Sequence, residues 1–351
     1  MAAAPTTIGA LLHEHSTNPV RDTLIESSSN KQWAKEYHPI KQLVVHTQAQ
    51  SPGVVVGTFD RAFLGEYDDE NLRLDQPAYP PNYRNWRMNT EQDAIAWFNA
   101  EVSNVVLSAF SVYPGVMNCA HEKPLSSTRT DETVDTSYSI DANGGRTNLA
   151  IGEFKRGTLK RARWQTGSLG SGQESLSREF RGYAHKYECP HIFCFDGYTL
   201  LLLQFRAKSP DEIKDAKCVV DCWVFPRDNL HGTPLRYALY RFLVQGFRRC
   251  QGMRATNMSL YGIRPTLRLF YSGLPLWKME DGNFYANPWG HERKLEASCG
   301  AFYWTGTDGN APLLDGGDNL VWDTDSFWQT PTQQLEGDSV PMVVEDLYGP
   351  D

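Results

Sequence analysis

At 351 residues, with 40% hydrophobic and 12% aromatic content, the chain can form one large or two ordinary globular domains and is too apolar to be a disordered polymer. Its net charge of −8 excludes a protein that coats nucleic acid indiscriminately. The charge is uneven: Arg146 to Lys186 holds nine Lys/Arg against three Glu, whereas residues 301–351 hold ten Asp/Glu and no Lys or Arg, so an anionic partner is admitted at one face only.

Seven cysteines are scattered, mostly in apolar stretches, with no Cys-x-x-Cys pair. Cys218-x3-Cys222 has no matching His cluster, which argues against zinc. The first residues lack the charged region and apolar core of a signal peptide. No run of about 18 apolar residues occurs, so no membrane segment is expected. A soluble, reducing, cytoplasmic setting follows as the expectation.

In chain order, residues 1–30 are small and polar and read as a flexible arm, with His13-Glu14-His15 exposed on it. Residues 31–275 read as one α/β domain whose core runs over about 90–255. Residues 276–351 read as an irregular, acidic, Trp-rich segment packing on the same domain. Leu43-Val44-Val45 and Val54-Val55-Val56 predict short strands around Ser51-Pro52-Gly53. Glu66-Tyr67-Asp68-Asp69-Glu70 reads as a solvated acidic loop. Thr90, with Asp93 at the reciprocal position, predicts a capping box. Ile95, Phe98, Val102, Val105, Val106 and Ala109 then recur at helical spacing, and Pro114-Gly115 ends that helix. Asn118 to Asp131 reads as a polar loop.

Val134 to Ile140 predicts a strand, Asp141 to Gly145 a turn, and Asn148 to Phe154 its partner strand. Glu153 and Lys155 share a face, because side chains alternate along a strand. A hairpin centred on Gly144 pairs residues whose numbers sum to 288, and so sets Asp135 opposite Glu153. A slip of one residue would undo this. Directly opposed carboxylates are destabilising, so a metal ion, a bound cation or Lys155 must offset them. A solvated hairpin with idle charges is the plainer alternative.

After Lys155, the run Arg156, Lys160, Arg161 and Arg163 beside Trp164 suits phosphate contacts and base stacking, or a surface helix turn. Ser168 to Gly172 reads as a flexible loop able to gate the site. A helix over Gln173 to Tyr187 buries Leu176, Phe180, Ala184 and Tyr187, leaving Gln173, Arg178, Arg181 and Lys186 off the core. Asp196-Gly197 predicts a tight hairpin between Ile192–Phe195 and Thr199–Phe205. Cys218 to Phe225 reads as a further strand. Thr233-Pro234 opens a helix with Leu235, Leu239, Phe242 and Leu243 on its apolar side. Its other side carries Arg236, Arg241, Arg248, Arg249 and Arg254, a second anionic-partner patch or a solvated face.

Asp135, Glu153-Phe154-Lys155 and the helix beginning at Gln173 resemble the core of the PD-(D/E)XK nuclease-like superfamily. The resemblance covers about Thr90 to Val224, and Val134 stands where a Pro often precedes the first acid. It implies a central mixed sheet flanked by helices, with N- and C-terminal extensions. In a nuclease of this type Asp135 and Glu153 would hold Mg²⁺ and Lys155 would position the attacking water. Glu101 would be an extra acid on the first core helix, or an ordinary surface charge. In overall character, rather than by one motif, the chain also resembles the arginine-containing cyclodipeptide synthases of fungal secondary metabolism. That resemblance implies an aminoacyltransferase taking aminoacyl-tRNA and joining arginine to a second amino acid as a diketopiperazine, without a cofactor. Asp135, Glu153 and Lys155 would be catalytic, and Arg156, Lys160, Arg161, Arg163, Arg178 and Arg181 would hold RNA. The synthase reading is favoured, with a Mg²⁺-dependent nuclease and a catalytically inactive nucleic-acid-binding module as alternatives.

Overall fold

A computed structural model describes residues 6–23, 26–27, 31–65, 73–111, 116–122, 133–142, 145–255, 260 and 264–325. The acidic stretch Glu66–Glu70, the helix stop at Pro114-Gly115, the hairpin tip at Asn143-Gly144 and residues 326–351 lie outside them.

A seven-stranded mixed sheet forms the centre. Its strands are β1 (Leu43–Val45), β2 (Val116–Glu122), β3 (Val134–Ala142), β4 (Gly145–Phe154), β5 (His191–Phe195), β6 (Thr199–Phe205) and β7 (Val220–Pro226), in spatial order β1-β7-β6-β5-β4-β3-β2. Strands β2, β3 and β4 form an antiparallel meander; β4 runs parallel to β5; β5, β6 and β7 are antiparallel; β7 is parallel to β1. The segment expected as a polar loop from Asn118 therefore begins as the edge strand β2. Strands β5, β6 and β7 are buried along their whole length, as near-continuous apolar runs require.

Alternation assigns the two faces. Phe193, Phe195, Leu200, Leu202, Trp223 and Phe225 point to one apolar cluster. Ile151, Cys194, Leu201, Leu203, Phe205 and Val224 point to the other. The first cluster is covered by α1 (Ile8–Leu12), α2 (Glu91–Phe98, running through a π turn at Asn99–Ser103 into Asn104–Ser108) and α5 (Leu235–Arg254). The second is covered by α3 (Arg161–Thr166) and α4 (Gly170–Lys186). The Thr90–Asp93 capping box forms in both directions. Helix α4 starts at Gly170, so most of the segment expected to gate the site is already helix.

The N-terminal segment departs from the expected loose arm. Ile8, Leu11 and Leu12 are core residues, and Val20–Asp22 pairs in parallel with Trp86–Met88. The burial of α1 was concealed by its brevity: five helical residues carry no periodicity to read. The C-terminal extension is likewise built onto the domain. It adds small antiparallel ladders and a separate cluster of Leu260, Trp277 and Trp304. No helix among the described residues is long and apolar enough to cross a membrane.

Four of the five arginines of α5 correct both expectations for them; the fifth, Arg254, is half-buried and donates to Thr147 Oγ1 at 2.5 Å. Arg236, Arg241, Arg248 and Arg249 are buried, and their guanidinium groups donate to backbone carbonyls: Glu101 and Leu11, Leu64, Gly300, and Asn148 respectively. They fasten α1, the 58–65 loop, the C-terminal extension and β4 to one helix. They are not an anionic-partner patch.

Candidate functional site

The site forms where β4 ends beneath α4. From Gly145 to Asn148, β4 pairs with β3 in a register summing to 287, and Leu149 is then bulged out. From Ala150 onward the sum is 288, ending at Gly152–Thr136. The next pair in that register is Asp135 with Glu153. The bulge thus turns Glu153 and Lys155 to the α4 face, the face of Ile151. Gly152 is needed there, because a Cβ would lie 2.1 Å from the Phe193 ring and 2.5 Å from the Thr136 methyl. The Lys155 amide donates to the Phe195 carbonyl at 3.1 Å and carries the ladder one residue past β4.

Four groups meet at the α4 face. Lys155 Nζ donates to Glu153 Oε1 and, at 3.2 Å, to Glu179 Oε1 of α4. Tyr183, one helical turn after Glu179, donates its hydroxyl to the same oxygen at 3.2 Å. Lys31 reaches in from the surface, 3.5 Å from the Tyr183 hydroxyl and 3.9 Å from Glu179. Glu153, Lys155 and Glu179 are buried, Lys155 the most accessible at 8%. Glu153 Oε2 is buried and accepts no hydrogen bond. Asp135 stands beside them, half-buried, with Oδ2 accepting the Phe154 amide at 2.6 Å.

The electrostatics follow from burial. Loss of water pushes the Glu153 carboxyl well above the usual range; Lys155 opposes this, while Asp135 and Glu179 add to it. Burial alone would lower the Lys155 ammonium, but Glu153 and Glu179 outweigh it and hold the proton more tightly than usual. Burial, with the surrounding acids, raises the Tyr183 phenol, which stays a donor. Glu91, at the first position of α2, is also raised, first by burial and then by the charge of Asp135; Lys155, Arg156 and Lys31 oppose the shift. Four acids thus interact in one region, with Lys155 inside and Lys31 and Arg156 around it.

Of the expected site residues, the structure brings Asp135, Glu153 and Lys155 together. Glu101 is elsewhere. Its carboxylate accepts from Ser16, Asn18 and Trp86 and lies 3.9 Å from Arg236, a buried cross-link between the N-terminal segment and α5. Glu91 is the acid that α2 contributes, and Glu179, Tyr183 and Lys31 were also unforeseen. For Glu179 there was a signal: it is three residues after Leu176 and four before Tyr183, inside the buried arc of α4.

The basic residues divide. Lys160, Arg161 and Arg163 are exposed, and Arg156 and Arg178 are partly exposed. Lys160 pairs with Glu26, Arg161 lies 3.4 Å from Asp228, and Arg178 donates to the Tyr37 carbonyl at 2.8 Å. Arg181 corrects the expectation. It is fully buried over the Phe205 ring, donating to the carbonyls of Ile213 and Asp215 at 2.5 and 2.6 Å. Trp164 is also fully buried, so it offers no stacking surface to a base. Its indole N–H donates to Gln173, which also takes the Lys160 amide and donates to the Thr158 carbonyl. Gln173 therefore holds the basic loop onto α4.

Among the described residues, no group of three or more His, Cys, Asp or Glu side chains is arranged to hold a metal ion. No family model matches the chain, and neither does any curated protein or solved structure.

Proposed function

We propose that the cluster receives the cationic side chain of an aminoacyl ester, and that the chain is an aminoacyl-tRNA-dependent cyclodipeptide synthase joining arginine to a second amino acid. The observation that carries this reading is the buried, unpartnered Oε2 of Glu153. Leaving such an acceptor empty costs about 1–3 kcal/mol, which a bound donor recovers. A guanidinium offers several N–H donors in one plane and matches a carboxylate edge better than an ammonium does. The acids of the site supply the attraction, and the exposed Lys160, Arg161 and Arg163 suit the RNA that carries the ester.

The chemistry asks little of the protein. The α-amine of one aminoacyl ester attacks the ester carbonyl of the other, an amide forms, and a ribose hydroxyl leaves with the amine's proton. The second amine then attacks the remaining ester, closes the ring and releases the second RNA. Both esters are already activated, so holding them together supplies much of the rate. Asp135, half-buried beside the cluster, is the carboxylate left to pass the proton from amine to ribose oxygen. The reading needs no cofactor and belongs in the cytoplasm, where tRNA is charged.

The pairing of Asp135 with Glu153 favours a second reading. Hard divalent ions prefer oxygen ligands, and two adjacent carboxylates beside a lysine are what a PD-(D/E)XK nuclease would use. Purified protein supplied with arginyl-tRNA and a pool of other aminoacyl-tRNAs, with spermidine in place of Mg²⁺, separates the two. A cyclic arginyl dipeptide formed without Mg²⁺ supports the synthase. Cleavage of RNA or DNA only when Mg²⁺ is restored supports the nuclease. Binding of RNA with neither reaction leaves an inactive nucleic-acid-binding module.

A further inference from the structure

Beside the acidic cluster lies a cavity of opposite sign. Lys31, Ala34, Lys35, Ser175 and Arg178 line a space of about 370 Å³, with no acidic side chain among them. Two short-range spacings build it. Lys31 is the N-cap of the 3-10 turn Gln32–Glu36 and Lys35 lies within its last turn, while Ser175 and Arg178 are three residues apart on α4, on one face. The acid of the turn, Glu36, faces Lys186 instead, at 3.9 Å. Arg178 is fixed by its bond to the Tyr37 carbonyl, and Lys35 is exposed. Lys31 belongs to both sites: it lines the cavity, and its ammonium meets Tyr183 and Glu179 of the acidic cluster.

We infer that this cavity holds a phosphodiester of the RNA, the one next to the terminal ribose that carries the amino acid. The inference rests on the proposed function. Two lysines and a guanidinium fork suit a group with several acceptor oxygens around one centre; the Ser175 hydroxyl donates to the Ser171 carbonyl at 3.2 Å and lines the space without serving the ligand. The ligand must also present a cation to the carboxylates one side chain away. An arginyl ester at an RNA 3′ end carries both charges in that order: phosphate, ribose, then the amino acid with its ammonium and guanidinium. Lys31 stands at the seam between the two.

The test uses full-length protein and a fluorescent RNA minihelix with a single-stranded 3′ end, uncharged so that nothing turns over. Binding is followed by anisotropy against salt for wild type, Lys35→Glu and the charge-neutral Lys35→Gln. A second RNA lacks the last two nucleotides. The expected result is about tenfold weaker binding of the complete RNA by Lys35→Glu, a smaller loss for Lys35→Gln, and a salt slope shallower by about 0.7. The truncated RNA should bind wild type and variants alike, and inorganic phosphate should compete only for the complete RNA. Equal binding by wild type and Lys35→Glu would overturn the inference. An equal loss on both RNAs would also overturn it, since that is general surface charge. Failure of the proposed function is read separately. Wild type that forms no cyclic dipeptide, yet shows the 3′-end-dependent loss, keeps the phosphate site and removes the synthase. Product formed equally by wild type and Lys35→Glu keeps the synthase and removes the phosphate site.

Discussion

Replacing Lys155 by Met tests whether the site is organised by buried charge. The ammonium lies 3.2 Å from Glu179 Oε1 and is bonded to Glu153, with little exposure to water. At an effective dielectric of about 20, each such pair attracts with about 5 kcal/mol, and dehydration of the ions offsets a large part. Removing one partner of a buried pair leaves a net loss of about 3–5 kcal/mol, because the other charge remains buried. The loss depends on pH with a definite sign. The folded-state pKa of Glu153 is raised, so its stabilising effect is complete below the ordinary carboxyl range and is lost as pH rises through the raised value. Without Lys155 the raised value moves further up. The variant's deficit should therefore grow as pH rises above the ordinary carboxyl range, as urea unfolding on either side of that range would show. A deficit below about 1 kcal/mol, equal at both pH values, would mean that Lys155 is a solvated surface charge.

Two further outcomes follow from buried positions, one on the α5 face of the sheet and one beside Glu153. His191 is buried with Nε2 3.0 Å from Gln204 Oε1, and burial followed by the charge of Arg249 lowers it to about 3. A lowered base gives stability that is present above its unfolded value and is lost as pH falls. Stability should decline by about 1.4 kcal/mol per pH unit below the ordinary histidine range, and His191→Gln should flatten that decline in urea titrations. Gly152→Ala forces a methyl against Phe193 and Thr136 beside Glu153. We expect a loss of about 1–3 kcal/mol in thermal unfolding, as for other overpacked cores, and lower activity in whatever reaction the site performs. An unchanged melting temperature would show that the Phe193 ring and the Thr136 methyl give way to the added methyl at no cost.

That Asp135 comes beside Glu153 was legible for a partly accidental reason. A hairpin centred on Gly144 has the sum 288 throughout, whereas the strands start at 287 and gain one only at the Leu149 bulge. Alternation of apolar residues is a local signal that survives such a shift on either side of it, so the strands and their faces could be read. The bulge itself left no mark in the sequence. Glu101 and Glu91 show the opposite limit. Both are acids on α2, and only the path of the N-terminal segment decides that Ser16 and Asn18 engage one while the other turns to Asp135. The α5 arginines failed for the same reason. A stripe of arginine reads as solvent-facing until another segment covers it, and the covering carbonyls come from Leu11, Leu64 and Gly300, far away in sequence.

The most direct test of the central claim is mass spectrometry of small molecules from a bacterial host expressing the chain, beside the same host expressing Glu153→Ala. The account predicts a new arginine-containing cyclic dipeptide with wild type and none with the variant. No new cyclic dipeptide from soluble wild-type protein, or the same amount from Glu153→Ala, would contradict it.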